Sequence, residues 1–383
     1  MKSAQVFLTL AAALLQPFVA AGTVKRQISS VVSGTPPGFA ASVTGGGNAT
    51  PVYPTTIDAL KSYLTSSEPQ VIVISGAFNF IGSEGTTTYE ACNIYDCTPE
   101  NGGQALLNTL GGCGSTATYS VAVDTASNGI NVQSDKTLVG KNGATLEGKG
   151  LRFVNVENII IQNVAITNLN PKYVWGGDAI TLSGTKNIWI DHVTTSLLGR
   201  QHYSFGPDSN QGIAISNSFI SGETTQSATC DGRSYWGLEL VGSDDTITFL
   251  RNRVDWTSGR GPALSGTTLF HAINSIFSNT GDHLIEGGLD NGMGLYEGNY
   301  FWAVPTPVAS GWGGHLFTVP SGTEANCAQY LGRNCAVNNV SNSGAFSYTD
   351  TSFLSRFSGS SIPAVVAASE IMSAVVGTAG NTL

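Results

Sequence analysis

Three short stretches concentrate ionisable and aromatic side chains in a chain otherwise poor in charge. Asp178 follows Val174-Trp175-Gly176-Gly177 and precedes Ala179-Ile180. Arg200 stands in Gly199-Arg200-Gln201-His202-Tyr203, and Arg260 in Trp256-Thr257-Ser258-Gly259-Arg260-Gly261-Pro262. Two fixed cations and one carboxylate suit the binding or stabilisation of negative charge. A single charge of this kind is ordinarily a solvated turn residue; three of them, each in a Gly/aromatic loop, point to a site. Asp191 and His192, by contrast, read as hydrogen-bonding partners in a turn, and Trp189, inside Ile188-Trp189-Ile190, reads as packing.

The elements that must position these residues are written as a repeat. Short β-branched segments end on polar residues: Ile159-Ile160-Ile161-Gln162-Asn163, Ile188-Trp189-Ile190-Asp191, Ile213-Ala214-Ile215-Ser216-Asn217, Ile247-Thr248-Phe249-Leu250-Arg251-Asn252, then Asn274 and Gly294-Leu295-Tyr296-Glu297-Gly298-Asn299. With Asn163, Asp191, Asn217, Asn252, Asn274 and Asn299 as marks, the intervals are 28, 26, 35, 22 and 25 residues. Strands this short cannot bury their inner faces alone, so stacking them as coils is the expected solution. The expectation is an all-β fold, a right-handed parallel β-helix, in which side chains at equivalent turns hydrogen-bond along columns. A stack of this kind can bring Asp178, Arg200 and Arg260 onto one face. Long insertions such as 217–252 should form surface loops and build a groove. Residues 55–64, opening after Pro54, read as a helix capping the N-terminal end of the stack, and the Ser- and Ala-rich segment from 346 on as a tail packed back along the coils. No linker divides the chain, so residues 27–383 read as one domain.

The chain has 383 residues, 17 Lys and Arg against 26 Asp and Glu, a net charge of −9 and 47 glycines. Its charged fraction of 11% is well below the ~25% of average soluble chains. The acidic balance excludes a nucleic acid partner, which needs a basic face, and an acidic polymer can be bound only through a local cationic site. Lys2, the apolar run Val6–Leu15 and the small residues Ala20-Ala21-Gly22 read as a secretory leader of residues 1–20, too short to span a membrane, with a second processing point at Lys25-Arg26. Six cysteines in a secreted chain imply three disulfides. Cys327 and Cys335 are expected to close a short loop, while the connectivity of Cys92, Cys97, Cys113 and Cys230 stays open. The sequons at Asn48 and Asn339 are candidate glycosylation sites.

Val174–Ile180, Trp189-Ile190-Asp191-His192-Val193-Thr194-Thr195, Gly199–Tyr203, Ala228-Thr229-Cys230-Asp231-Gly232, Thr257–Arg260 and Tyr330-Leu331-Gly332-Arg333 together resemble the pectin lyases of polysaccharide lyase family 1. The likeness extends from about Val43 to Phe357. It implies a secreted enzyme, expected to be monomeric, that cleaves methyl-esterified homogalacturonan by β-elimination. It also implies the pairs Cys92–Cys113, Cys97–Cys230 and Cys327–Cys335. On this resemblance Arg260 is the base that takes the C5 proton of the uronate, with Asp178 and Arg200 beside it, although a free guanidinium keeps its proton throughout the physiological range. Trp175, Tyr235 and Trp236 correspond to the aromatic wall of the cleft, where rings stack on the sugars. A Tyr of that cleft is replaced by Glu239, and the usual Ser and Lys around the Pro after the catalytic Arg by Gly261 and Ala263.

The sister enzymes, the pectate lyases, hold Ca²⁺ with carboxylates. Those positions are matched here by Asp178, Arg200 and Ser204, which leaves one acid, so the expectation is no metal and no cofactor. Calcium-dependent pectate lyase is the main alternative. A weakened β-helix that only binds wall polysaccharide is another. A glycoside hydrolase would need clustered carboxylates; Asp244, Asp245 and Asp282 are present without the spaced set and its His- and Lys-containing motifs.

Overall fold

The computed structural model describes residues 27–383; the leader and the Lys25-Arg26 processing point lie outside the described residues. Each coil contributes three short strands, and successive coils stack strand on strand in parallel. The first sheet holds Ile130–Asn131, Leu151–Val154, Ile180–Ser183, Tyr203–Phe205, Leu238–Leu240, Ala263–Leu264 and Glu286–Gly287. The second runs through Glu157–Gln162, Lys186–Asp191, Gln211–Ser216, Thr246–Leu250, Leu269–Ile273 and Met293–Glu297. The third runs through Ala165–Leu169, Thr194–Leu198, Phe219–Ser221, Arg253–Asp255, Ile276–Ser278 and Tyr300–Trp302. Two long strands near the N-terminal end, Gln70–Asn79 and Lys136–Glu147, cross the corner between the second and third sheets and join them. Such crossovers wind right-handed, and the architecture is the expected parallel β-helix.

Inward residues stack in files because the strand period is two. Ile159, Ile188, Ile213 and Ile247 form one file and Ile161, Ile190 and Ile215 another, all fully buried. Lower coils switch to rings, with Phe277 and Phe301 stacked at 5.0 Å and Phe301 and Phe346 at 4.7 Å. The alternate residues Ile160, Trp189 and Ala214 point outward yet are buried, because Ala40 and Val43 of the N-terminal segment cover them. That cover explains why these strands read as continuous apolar runs. The helix forms at Ile57–Thr65, with the Thr56 hydroxyl accepting from the Ala59 amide and Leu60 and Leu64 buried at the N-terminal end of the core.

The polar columns exist, but the six sequence marks do not belong to one of them. Strand register aligns Asn163, His192, Asn217, Arg251, Asn274 and Gly298, so the coils are 29, 25, 34, 23 and 24 residues long. Every member of this column has positive φ, from 47° to 62°, which explains the recurring Asn and the terminal Gly. Asp191 lies one position earlier, against Gln162 and Ser216, and Asn252 and Asn299 one position later, against Ser218 and Ser275. In this last column each side chain accepts from a backbone amide of the neighbouring coil: Val193 to Ser218, Ser218 to Asn252, Asn252 to Ser275 and Ser275 to Asn299, at 2.8–3.1 Å. The tail packs along the coils as expected, held by Asn163 to Leu383 and by Asn274 to Val366.

Candidate active site

The outward residues of the first sheet form a row across the coils: Asn131, Arg152, Thr181, Ser204, Glu239, Ala263 and Glu286. The loops that enter these strands stand along one side of the row and carry Asp178, Arg200, Tyr235, Trp236 and Arg260. The first wall is braced by a small separate sheet, in which Tyr173–Val174 pairs with Ala105–Leu106 just before Trp175. Three pairings fix the loops: Cys92–Cys113 within this excursion, Cys97–Cys230 from it to the loop preceding Tyr235, and Cys327–Cys335 further down. Gln104 adds a clip that the sequence reading missed: buried, it donates to Pro171 O and Gly199 O and accepts from Trp236 Nε1 at 2.9 Å.

The two arginines meet. Glu239 Oε1 lies 2.8 Å from Arg260 Nη1 and 3.3 Å from Arg200 Nη2. The Arg200 guanidinium lies over Trp175 at 3.8 Å from the ring centroid, and Arg260 over Trp236 at 5.0 Å. Burial pushes Arg200 below the usual arginine range, with the nearby carboxylates of Glu239 and Asp178 opposing it, and its Nε is buried without a partner. Asp178, level with Gln201 in the neighbouring coil, accepts from the Gln201 amide at 2.8 Å. Burial raises its carboxyl, and the charge of Arg200 opposes the rise. Asp178, Trp175, Thr181 and Arg152 line an adjacent pocket with Ser127 and Asn128. The three charged residues singled out in the sequence thus share one face, although only the arginines share a bonding partner.

Glu286 and His283 are a second pair absent from the sequence reading. Glu286 Oε1 accepts from Arg260 Nε at 3.2 Å, while its Oε2 accepts from Tyr235 Oη at 2.6 Å and meets His283 Nε2 at 2.5 Å. Burial works to raise the Glu286 carboxyl, but its bonds from His283 and Tyr235 outweigh this and hold it below the usual range. His283 is raised, first by the bond to Glu286. No motif marks Glu286; its signal is membership of the outward row, which requires the register. Gly259 makes room for this group, since a Cβ there would fall 2.5 Å from the Tyr235 ring. Trp175 and Arg260 have φ of 72° and 48°, a conformation uncommon for bulky residues and frequent at functional sites.

The remaining sequence candidates fall elsewhere. Asp191 is buried and bonded to Gln162, Ser216, Asn217 and His192 in the turn columns, and Trp189 is packed, donating to Ser216. Asp245 is buried against Asn210 and Asp244 pairs with Arg356, so neither reaches the cleft; Asp282 bonds His283 from an exposed position. Ser204 occupies the row beside Glu239, and Gly261 and Ala263 follow Arg260. Asn48 is exposed, whereas Asn339 is half-buried in a strand. A calcium ion prefers six to eight oxygen ligands. One carboxylate, a serine and an arginine do not fit it, and among the described residues no three His, Cys, Asp or Glu side chains cluster to hold a metal.

The pectate lyase family profile matches residues 105–378. The curated "Probable pectin lyase E" of Aspergillus niger is 66% identical over 93% of this chain and 96% of its own length. "Pectin lyase A" of Emericella nidulans is 47% identical over 92% and 94%. Among solved structures, pectate lyase II of Xanthomonas campestris superposes with a TM-score of 0.55 at 21% identity, covering 91% of this chain and 98% of that one. A Bacillus sp. N165 pectate lyase in complex with trigalacturonate gives 0.57 at 19%, covering 90% and 98%. At these identities the structural likeness speaks for the fold.

Proposed function

The chain belongs to the pectate lyase family, and from that premise we propose how its cleft works as that of a pectin lyase cleaving esterified homogalacturonan by β-elimination. The observation that carries the reading is the pairing of Arg200 and Arg260 in a cleft walled by Trp175, Tyr235 and Trp236. The flat rings receive the apolar faces of the sugars. Arg260 takes the C5 proton; the C–H electrons build an enolate at the ester carbonyl, then form the C4=C5 double bond as the bond from C4 to the glycosidic oxygen breaks, and that oxygen leaves and is protonated. Before Arg260 can accept a proton, one of its own must leave, and the acceptors in contact are Glu239 and Glu286; the proton held there is the one returned to the departing oxygen, which restores the carboxylate and leaves Arg260 charged again. Arg200, held in place by Glu239 and the Trp175 ring, stabilises the enolate oxygen as a fixed cation. Asp178 orients the loop through the Gln201 amide.

A neutral ester activates its own alpha proton, so the work that a metal does on a free carboxylate is not required. The protein acts outside the cell on this reading, which rests on the leader in the sequence and three disulfides; Asn48 and Asn339 are its proposed glycan acceptors. The test follows the ultraviolet absorbance of the unsaturated product from highly esterified pectin and from polygalacturonate, with and without a chelator. Cleavage of the esterified polymer that survives the chelator is expected. A preference for polygalacturonate with calcium would replace the reading with pectate lyase, and no product from either would leave polysaccharide binding.

A further inference from the structure

One carboxylate stands where the cations of the cleft would otherwise be bare. Glu239 projects from the outward row between Ser204 and Ala263, two small neighbours that leave its side chain room to reach sideways. A single oxygen, Oε1, is shared by Arg260 and Arg200. Glu286 holds Arg260 from the other side and is itself bonded by His283, so Glu239 is the carboxylate that the two guanidinium groups share. Arg152, further along the same row, is exposed and in no ion pair among the described residues. Neutralisation is therefore local to the centre of the cleft.

Building on the pectin lyase reading, we infer that Glu239 is a specificity-determining residue: it occupies the arginine donors that a free uronate carboxylate would seek and makes the central subsite demand a neutral ester. A free carboxylate brought to Arg200 and Arg260 meets the Glu239 charge at close range, in a half-buried cleft where screening is weak. A methyl ester meets no such repulsion, and its carbonyl oxygen can still accept from the guanidinium N–H groups that Glu239 leaves free, since Glu239 is bonded to only one nitrogen of each arginine. The same arginines that would make this cleft an anion site are thus held to a neutral ligand by one side chain.

The test is binding, read before turnover: free-acid and fully methyl-esterified oligogalacturonates are mixed in a stopped flow with the wild type and Glu239→Gln at fixed low ionic strength, and the fluorescence of the cleft tryptophans is followed before product forms. Glu239→Gln is expected to bind the free acid at least tenfold more tightly than the wild type, with less than a threefold change for the ester. Added salt should reduce the gain only in part, because the charges meet in a half-buried cleft where screening is weak. Glu239→Ala should shift the preference in the same direction and guards against an effect peculiar to the amide. Unchanged free-acid affinity overturns the inference. So does an equal rise for both ligands, which would mean that Glu239 only fills space. These outcomes do not depend on which polymer the wild type cleaves, so failure of the lyase reading is told apart from failure of the role of Glu239.

Discussion

Arg260 owes its place to backbone geometry as much as to charge. Its φ of 48° turns the side chain out of the coil toward Glu239 and Glu286, and Gly259 lets Tyr235 close over the same turn. None of these contacts belongs to the apolar files inside the coils, so the reaction and the core are separable. Arg260→Ala should lower product formation from esterified pectin by about 10²–10⁴-fold, the range for loss of a general base, with a cooperative melting transition preserved. Turnover within tenfold of wild type in a folded variant would remove Arg260 from the base role. Arg260→Lys should not restore the rate, because a single ammonium cannot reproduce the fork that Arg260 presents through Nε and Nη1.

At the corner between the second and third sheets the first turn residue keeps a backbone bond to the next coil, as from Asn217 N to Leu250 O, and the residue after it is held by side chains. Asn252 accepts from the Ser218 amide and donates to Ile215 O, at 2.8 Å each. Asn252→Ala leaves both buried groups unpaired, at about 1–3 kcal/mol for each, whereas Asn252→Ser should cost less because serine serves the same column at 218 and 275; denaturant titration decides the order. The Tyr330–Arg333 motif has a comparable structural role. Arg333 bonds both oxygens of the fully buried Glu297 and also Pro363 O. It thereby ties the loop closed by Cys327–Cys335 to the last coils. Arg333→Ala should destabilise by up to about 3–5 kcal/mol, the range for a buried charge that loses its ion partner, less what His271 and the Ala336 amide still supply to Glu297, while esterified-pectin cleavage per folded molecule is unchanged.

Two buried carboxyls make the whole molecule's stability depend on pH in opposite senses. Burial works to raise Glu297, but the bonds from Arg333 and His271 outweigh it and bring it down to about 2. Its contribution is complete above the usual glutamate range and is lost as pH falls toward about 2, on the order of 3 kcal/mol. Asp245 is pushed up to about 7 by burial, against the bonds from Asn210, and its Oδ2 has no partner. The folded state therefore keeps a proton that the unfolded chain releases near 3.8, so stability falls as pH rises from about 4 to 7, on the order of 4 kcal/mol. Burial holds His202 down to about 3, so its contribution rises with pH over much of the same interval, and Asp245 is read from a variant rather than from the wild-type profile. Asp245→Asn should gain melting temperature over the wild type between pH 4 and 7 and match it near pH 4. A variant that parallels the wild type across that interval would show that Asp245 does not set the slope.

The stacked-coil architecture and a charged face are legible in the residue pattern. Apolar segments too short to bury their own faces leave stacking as the way to make a core, and Asp178, Arg200 and Arg260 were visible as charges in Gly/aromatic loops of successive coils. The helix at Ile57–Thr65 was legible to within a few residues because its N-cap follows a proline. The disulfide pairing came from the family resemblance alone. Which residues share a row or a column follows from the strand register and not from the residue pattern. In a solenoid the neighbour across a sheet lies one coil away, and these coils vary from 23 to 34 residues. An error of one residue moves a side chain to the other face of its strand. That is why Asp191, Asn217 and Asn252 looked like one series and fall into three columns. It is also why Glu239 and Glu286, two coils apart in the same row, could be recognised as partners of Arg260 only when the register was in hand.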